Sequence, residues 1–300
     1  MTDDAGSLNA AATEQAQLSE AEAAELAEEL KAQLRQGRMP ASDAEQINRM
    51  VAGLGDRRGL LRLTFAESLG TVGPAAVPAL CTAMCGHDSV TVRRAAAKTL
   101  TLIADPASLP SLVEALLNDA DPVVQGSAVG AMAALGADAV QALLDVLIRP
   151  ESSAMQLGLA SWGLAFVGAR APEALRQAAR SEHAEIRTAA IAALGDQIQS
   201  LGDAEATDLL TAALEDGCMD VRAEAATLLG KLHDAQWAQP LLTPRLKDQE
   251  AQVRKNAALS LMKLGSANAV PALQAALDDE SDSGCTAVFN LALRQLGADG

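Results

Sequence analysis

A two-residue marker recurs along this chain at nearly fixed intervals, and such a period leaves few folds open. It reads Val92-Arg93, Val124-Gln125, Met155-Gln156, Ile186-Arg187, Val221-Arg222 and Val253-Arg254, with steps of 32, 31, 31, 35 and 32 residues. Each marker opens an Ala-rich apolar run of helical length. A second apolar run follows: AAVPALCTAM from Ala75, ADAVQALLDVL from Ala137, NAVPALQAAL from Asn268. In residues 121–168 two such units stand back to back, with small residues at i, i+3 and i+4, as on a helix packed closely against another. Two helices per unit at this period predict an all-α fold, a right-handed α-solenoid of paired helices. Six repeats are clear. A degenerate one precedes them (residues 57–84) and a half-repeat follows (residues 283–297).

Composition fits thin layers stacked side by side. Half the residues are hydrophobic (49%) but only 2% are aromatic and none is Tyr, so Ala and Leu must fill the interior. The formal net charge of −16 repels phosphate backbones and argues against nucleic acid as a partner. The four cysteines, Cys81, Cys85, Cys218 and Cys285, are too few for a disulfide framework. The acidic N-terminus lacks the pattern of a signal peptide, and no run of 18 uninterrupted apolar residues suggests membrane insertion. A reducing, cytoplasmic location is expected.

Residues 1–18 are small and polar and are expected to be disordered. Ser19 with Glu22, and Ser42 with Glu45, have the spacing of helix-opening capping boxes. The first helix carries Leu26, Leu30 and Leu34 on one stripe and should stop at Gly37. Residues 19–55 are therefore expected to form N-terminal capping helices, with a coiled-coil partner helix as the alternative, and residues 56–300 the solenoid.

No phosphate loop, GxGxxG or HExxH motif is present. His87, His183 and His233 fall in different repeats, and Cys81 and Cys85 at i, i+4 fit small core residues, so no metal site is expected. The central repeats differ from the rest. Gln125 and Gln156 interrupt the Arg series, and Gly126, Gly130, Gly158 and Gly163 each cost about 1 kcal/mol relative to Ala inside a helix. Either close backbone approach or a re-aimed binding groove would account for them. Trp162 and Trp237 are large for layers of Ala and Leu; each fits either the core or the stacking surface of a flat ligand. Arg176 and Arg180, one turn apart, could clamp carboxylates. A ligand is expected on the concave surface of residues 124–214.

The runs VRRAAAKTL, VRAEAATLLGKLHD and VRKNAALSLMKLG, alternating with AVPAL helices, resemble the HEAT-like repeats of the cyanobacterial phycobilin lyases of the E/F clan, in the style of the phycoerythrin-associated members. The resemblance covers residues 57–297. It implies a lyase that attaches an open-chain tetrapyrrole, phycoerythrobilin, to a cysteine of an apo-phycobiliprotein by a thioether. The apo-phycobiliprotein would be a phycoerythrin subunit, approached alone or with a second lyase subunit. The bilin is then the substrate, no cofactor is needed, and the nucleophile is the partner's thiolate. The residues offered for such work are Trp162, Trp237, Arg176, Arg180 and Glu114 for binding, and Asp145 and Asp208 as catalytic carboxylates. The alternative is a non-catalytic adaptor or chaperone for a phycobiliprotein subunit or another protein.

Overall fold

A computed structural model describes residues 18–297. Among the described residues the regular structure is helical, an all-α solenoid of paired helices. The expectation of disorder for residues 1–17 falls outside the described residues. The chain divides into two compact units, residues 1–131 and 132–300.

In the first unit α1 (Glu20–Arg35) and α2 (Ala44–Gly53) precede the repeats. Ser19 and Glu22 form the capping box, and Gly37 turns the chain out with φ 67°. The second cap shifts by one residue. Asp43, not Ser42, accepts from the Gln46 amide, because the carboxylate takes the N-cap position directly before α2. Then come α3 (Gly59–Val72) and α4 (Val77–Gly86), α5 (Val90–Ile103) and α6 (Leu109–Asn118), and α7 (Pro122–Ala134), which runs across the division. Leu26, Leu30, Met50, Phe65, Leu69, Leu80, Leu100 and Leu112 form this unit's interior. The span Gly59–Gly86 has the length and mean hydropathy, 1.4, of a membrane-crossing helix. It is broken at Gly73, whose φ of 72° and ψ of −137° leave the helical region. The resulting pieces of 14 and 10 residues each fall short of the roughly 20 a bilayer needs.

The second unit continues with α8 (Ala137–Ile148), α9 (Ala154–Val167), α10 (Pro172–Ala178), α11 (Ala184–Ala193), α12 (Gly195–Leu201), α13 (Ala204–Ala213), α14 (Met219–Lys231), α15 (Ala235–Leu242), α16 (Ala251–Lys263), α17 (Val270–Asp278) and α18 (Ser283–Gln295). The marker helices α9, α11, α14, α16 and α18 pack in succession and make one layer; α10, α13, α15 and α17 lie against them as the other. The marker helix of this repeat is broken at Leu194 into α11 and the short α12, and the pair holds the three or four extra residues of the one 35-residue step. Where α14 meets α16, Gly230 has no room for a side chain: a Cβ there would collide with the Ser260 side chain and Cα.

A second period, in the backbone, underlies the first. Residues with positive φ fall at Gly73, Ala104, Gly136, Gly168, Gly202, His233, Gly265 and Gly297, at steps of 31, 32, 32, 34, 31, 32 and 32. The first seven close a helix and turn the chain toward the next, the place where glycine avoids the clash a Cβ meets in this region. Ala104 and His233 keep a positive φ at the same point of the repeat with a Cβ present, at a steric cost. Pro78, Pro110 and Pro271 stand in the first turn of the helices that follow such turns, where no amide hydrogen is needed.

Candidate functional site

The marker arginines tie successive repeats together. Arg93, Arg187, Arg222 and Arg254 each send Nη1 to two backbone carbonyls five and six residues back, as Arg222 does to Asp216 and Gly217 at 2.9 and 3.4 Å. Nε and Nη2 of each then grip one carboxylate 26 to 29 residues on: Asp119, Asp216, Asp248 and Glu280, at 2.7–3.0 Å. The acid partner therefore lies in the next inter-repeat loop, not beside the marker as Glu185 or Asp220 would be. Arg62 belongs to the same series. Its Nη1 reaches the carbonyls of Asp56 and Arg57 at 2.5 and 3.1 Å, so Leu61-Arg62 is the marker of the degenerate repeat, 31 residues before Val92-Arg93. Gln125 is too short for the full task. Its Nε2 takes the Asp119 carbonyl at 2.8 Å, and its Oε1 is buried with no partner among the described residues. Gln156 joins the Ser153 capping box instead.

Along the marker-helix layer of the second unit these anchors position a groove of about 550 Å³. Its walls carry Ser161 from α9, Glu185 and Thr188 from α11, Asp220 and Glu224 from α14, and Asn256 from α16. The volume lies within the roughly 300–1,000 Å³ of small-molecule sites. Three carboxylates and no cation face into it. Burial pushes the Glu224 carboxyl above its ordinary value, against the pull of the Lys231 ammonium 3.8 Å from Oε1. Asn256 is held by the Ala223 carbonyl at 3.1 Å and the Thr227 hydroxyl at 2.9 Å. Glu224 is thus a carboxyl shifted upward by burial, set among fixed hydrogen-bonding groups.

Beside Ser161, about 100° further round α9, an apolar face begins. Trp162 and Phe166 pair with ring centroids 4.5 Å apart at 48°, and with Met155 they stay largely exposed, at 43%, 58% and 53%. The chain's other two phenylalanines, Phe65 and Phe289, are fully buried. Exposure of two of five aromatic residues on one helix face marks a surface built for contact. Gly158, four residues before Trp162, has open space where its side chain would be, and so does Gly130 on α7. Close backbone approach therefore does not account for these two glycines.

The other candidates read from the sequence lie on the second helices. Arg176 on α10 is paired with both Asp203 and Glu205, and Arg180, just beyond α10, joins Glu205 at 2.6 Å. These two come together as the tie between α10 and the start of α13, with their charge neutralised. Asp145 is exposed on α8 and accepts from Gln141 at 2.8 Å; Gln141 and Arg180 share a second cleft, of about 510 Å³. Asp208 is exposed on α13, and Trp237 is half-buried on α15, its backbone amide capped by Asp234. Glu114 is exposed on α6 of the first unit. Trp162 alone of the set lies on a marker helix. Glu224, Thr188 and Asn256 went unread in the sequence, although each follows a marker Arg by one or two residues, and that register fixes the open face of the layer.

Paired helices tied by an arginine-to-acid ladder define a HEAT-repeat protein, and the HEAT-repeat family matches residues 47–133 and 208–294. The intervening stretch holds α8 to α12, including the helix where Gln156 replaces the ladder arginine and the broken pair α11 and α12. Over 279 residues the chain is 46% identical to the bilin biosynthesis protein MpeU of Synechococcus sp. (strain WH8020), covering 93% of this chain and 94% of that one. It is 35% identical over 124 residues to the uncharacterized phycocyanin operon protein Z of Pseudanabaena tenuis (strain PCC 7409), 39% of this chain and 61% of that one. The CpcE–CpcF complex of phycocyanin lyase from Nostoc sp. PCC7120 is a structural neighbour at 20% identity and a TM-score of 0.33, covering 86% of this chain and 96% of that chain. The chain belongs to the E/F-clan phycobilin lyase family, with its phycoerythrin-associated members.

Proposed function

We propose that the protein is a phycobilin lyase that holds phycoerythrobilin and attaches it to a cysteine of an apo-phycoerythrin subunit. The observation that carries this reading is the 46% identity, over nearly the whole of both chains, to a bilin biosynthesis protein. The groove and the α9 face supply the means. Trp162 and Phe166 offer a flat surface for a conjugated tetrapyrrole. Glu224, Glu185 and Asp220 face the groove as acceptors for pyrrole N–H groups. In the reaction the acceptor thiolate forms a C–S bond with the electrophilic carbon of the A-ring side chain. The π pair of that double bond moves to the neighbouring ring carbon, which takes up a proton, and nothing leaves. Glu224, whose carboxyl burial pushes above its ordinary value, is the donor in this scheme, the part that the sequence assigns to Asp145 or Asp208. No cofactor enters the balance, and a reducing cytoplasm keeps the acceptor thiol free.

The test is co-expression with bilin-making enzymes and an apo-phycoerythrin subunit. Covalent, acid-stable pigment on the subunit above the control lacking this protein supports the lyase. A second reading, a chaperone for the subunit, is favoured by the exposed Met155, Trp162 and Phe166 face. Capture of the subunit with no pigment transfer would establish it instead.

A further inference from the structure

We propose that a cleft between α3 and α5, in the first unit, is an oxyanion site. It has a volume of about 160 Å³ and is lined by Arg62, Thr91, Arg94, Ala95 and Lys98. In a chain of net charge −16, three cations meet here with no carboxylate among the lining residues. The contrast with the neighbouring residue is direct. Arg93 is saturated by Asp119 and two carbonyls, whereas Arg94, next to it, makes no hydrogen bond or ion pair among the described residues, and its Nε is buried without an acceptor. Arg62 is the ladder arginine that lacks an acid. Its Nη1 reaches two carbonyls, while Nε and Nη2 make no hydrogen bond or ion pair among the described residues. The Asp56 carboxylate that feels its charge is gripped by Arg58 and does not line the cleft. Lys98, one turn after Arg94 on α5, has none either.

Two guanidinium forks, an ammonium and the Thr91 hydroxyl converge on a space too small for a tetrapyrrole and suited to one planar or tetrahedral oxyanion. A bound carboxylate or phosphate would satisfy the orphaned Nε and offset the mutual repulsion of three cations. The chemistry is shared by two sources, the propionate of a bilin and a small free dianion. The site itself does not depend on the lyase reading.

Thermal unfolding of the full chain tests it, with inorganic phosphate and with succinate, each against sodium chloride at equal ionic strength. Both anions should raise the midpoint of the parent. The double variant Arg94→Gln/Lys98→Gln should unfold at or above the parent's midpoint in chloride and require at least tenfold more anion for the same rise. Lys98→Gln alone, at an exposed position, should give a smaller loss and serves if the double variant does not fold. Anion effects no larger than those of chloride, or an undiminished response in the variants, would overturn the site. Titration with biliverdin and with its dimethyl ester separates the sources. Phosphate that weakens binding of the free acid and spares the ester identifies the bilin propionate; phosphate that affects neither identifies a free anion.

Discussion

Arg222 and Asp248 meet across one inter-repeat step in a two-pronged ion pair, Nε to Oδ2 and Nη2 to Oδ1 both at 2.9 Å, with 7% and 6% of their side chains exposed. Removing the arginine strands a buried carboxylate and frees two carbonyls at once. Arg222→Ala should therefore lower stability by about 3–5 kcal/mol. Arg222→Lys should recover little, because an ammonium cannot present the fork. Urea unfolding followed by far-UV circular dichroism measures both. A loss under about 1 kcal/mol for Arg222→Ala would mean that the ladder follows the fold without holding it.

The ladder acids set an acid limit. Arg254 holds Glu280 down from its ordinary 4.5 to about 2. Arg187 lowers Asp216, and Asp119 and Asp248, although burial pushes each of them up, end below their ordinary values through Arg93, Arg222 and backbone amides. Each folded pKa lies below its unfolded value, so the stabilisation is complete above about pH 4.5 and fades as pH falls toward 2. The unfolding temperature should be level from pH 7 to about 5 and drop steeply below 4. Glu280→Gln should make part of that drop disappear while lowering the value at pH 7.

Glu224 has the opposite sign. Its folded pKa is raised by burial, so its favourable contribution is present below the unfolded value and lost as pH rises through the folded one. Glu224→Gln should then raise the unfolding temperature at pH 7, and variant and parent should converge below about pH 4.5. If Glu224 delivers the proton in bilin attachment, the same variant should slow pigment transfer by about 10²-fold or more. Unchanged transfer would remove Glu224 from the reaction.

Much of the fold is legible because the marker repeats physical demands. An apolar residue must face the core and an arginine must reach the next loop once per helix pair, and the 31–35 residue step records both. Leu61-Arg62 escaped because Leu63-Thr64-Phe65 follows it in place of the Ala-rich run that the other marker arginines open, and the long step hid α12, which the spacing alone cannot tell from a longer loop. The site was harder to read. Trp162, Arg176 and Arg180 are neighbours in sequence, but the pairing of helices puts α9 in one layer and α10 in the other. Glu224, Thr188 and Asn256 are far apart in sequence and share one open face because their repeats stack. Nearness along the chain misleads in such a fold, and equal register is the better guide.

The turn at Ala104 carries a steric cost that its counterparts avoid. Its φ of 50° and ψ of 45° are left-handed, the conformation that Gly202, at φ 62° and ψ 34°, takes without a Cβ. Ala104→Gly should raise stability by about 0.5–1 kcal/mol, since relief of a clash worth 1–2 kcal/mol outweighs the extra freedom of the unfolded chain. Loss of stability in chemical unfolding would show that the alanine methyl makes a contact worth more than the strain.

Trp162 separates a contact surface from a structural role. Its ring is 43% exposed and leans on Phe166, itself 58% exposed, so neither completes the interior. Trp162→Ala should leave the unfolding temperature within a few degrees of the parent, because the pairing of two exposed rings contributes only about 0.5–1.5 kcal/mol. Bilin binding should weaken by about 1 kcal/mol or more, roughly fivefold, with Phe166→Ala in the same direction. Arg176→Glu is the informative contrast. Arg176 already faces Asp203 and Glu205, so reversing its charge should loosen α10 from α13 and lower stability, with little change in the bilin affinity of the folded protein. If Arg176→Glu instead abolishes bilin binding at unchanged stability while Trp162→Ala has no effect, the ligand lies on the second-helix layer and the groove on the marker-helix layer is not its site.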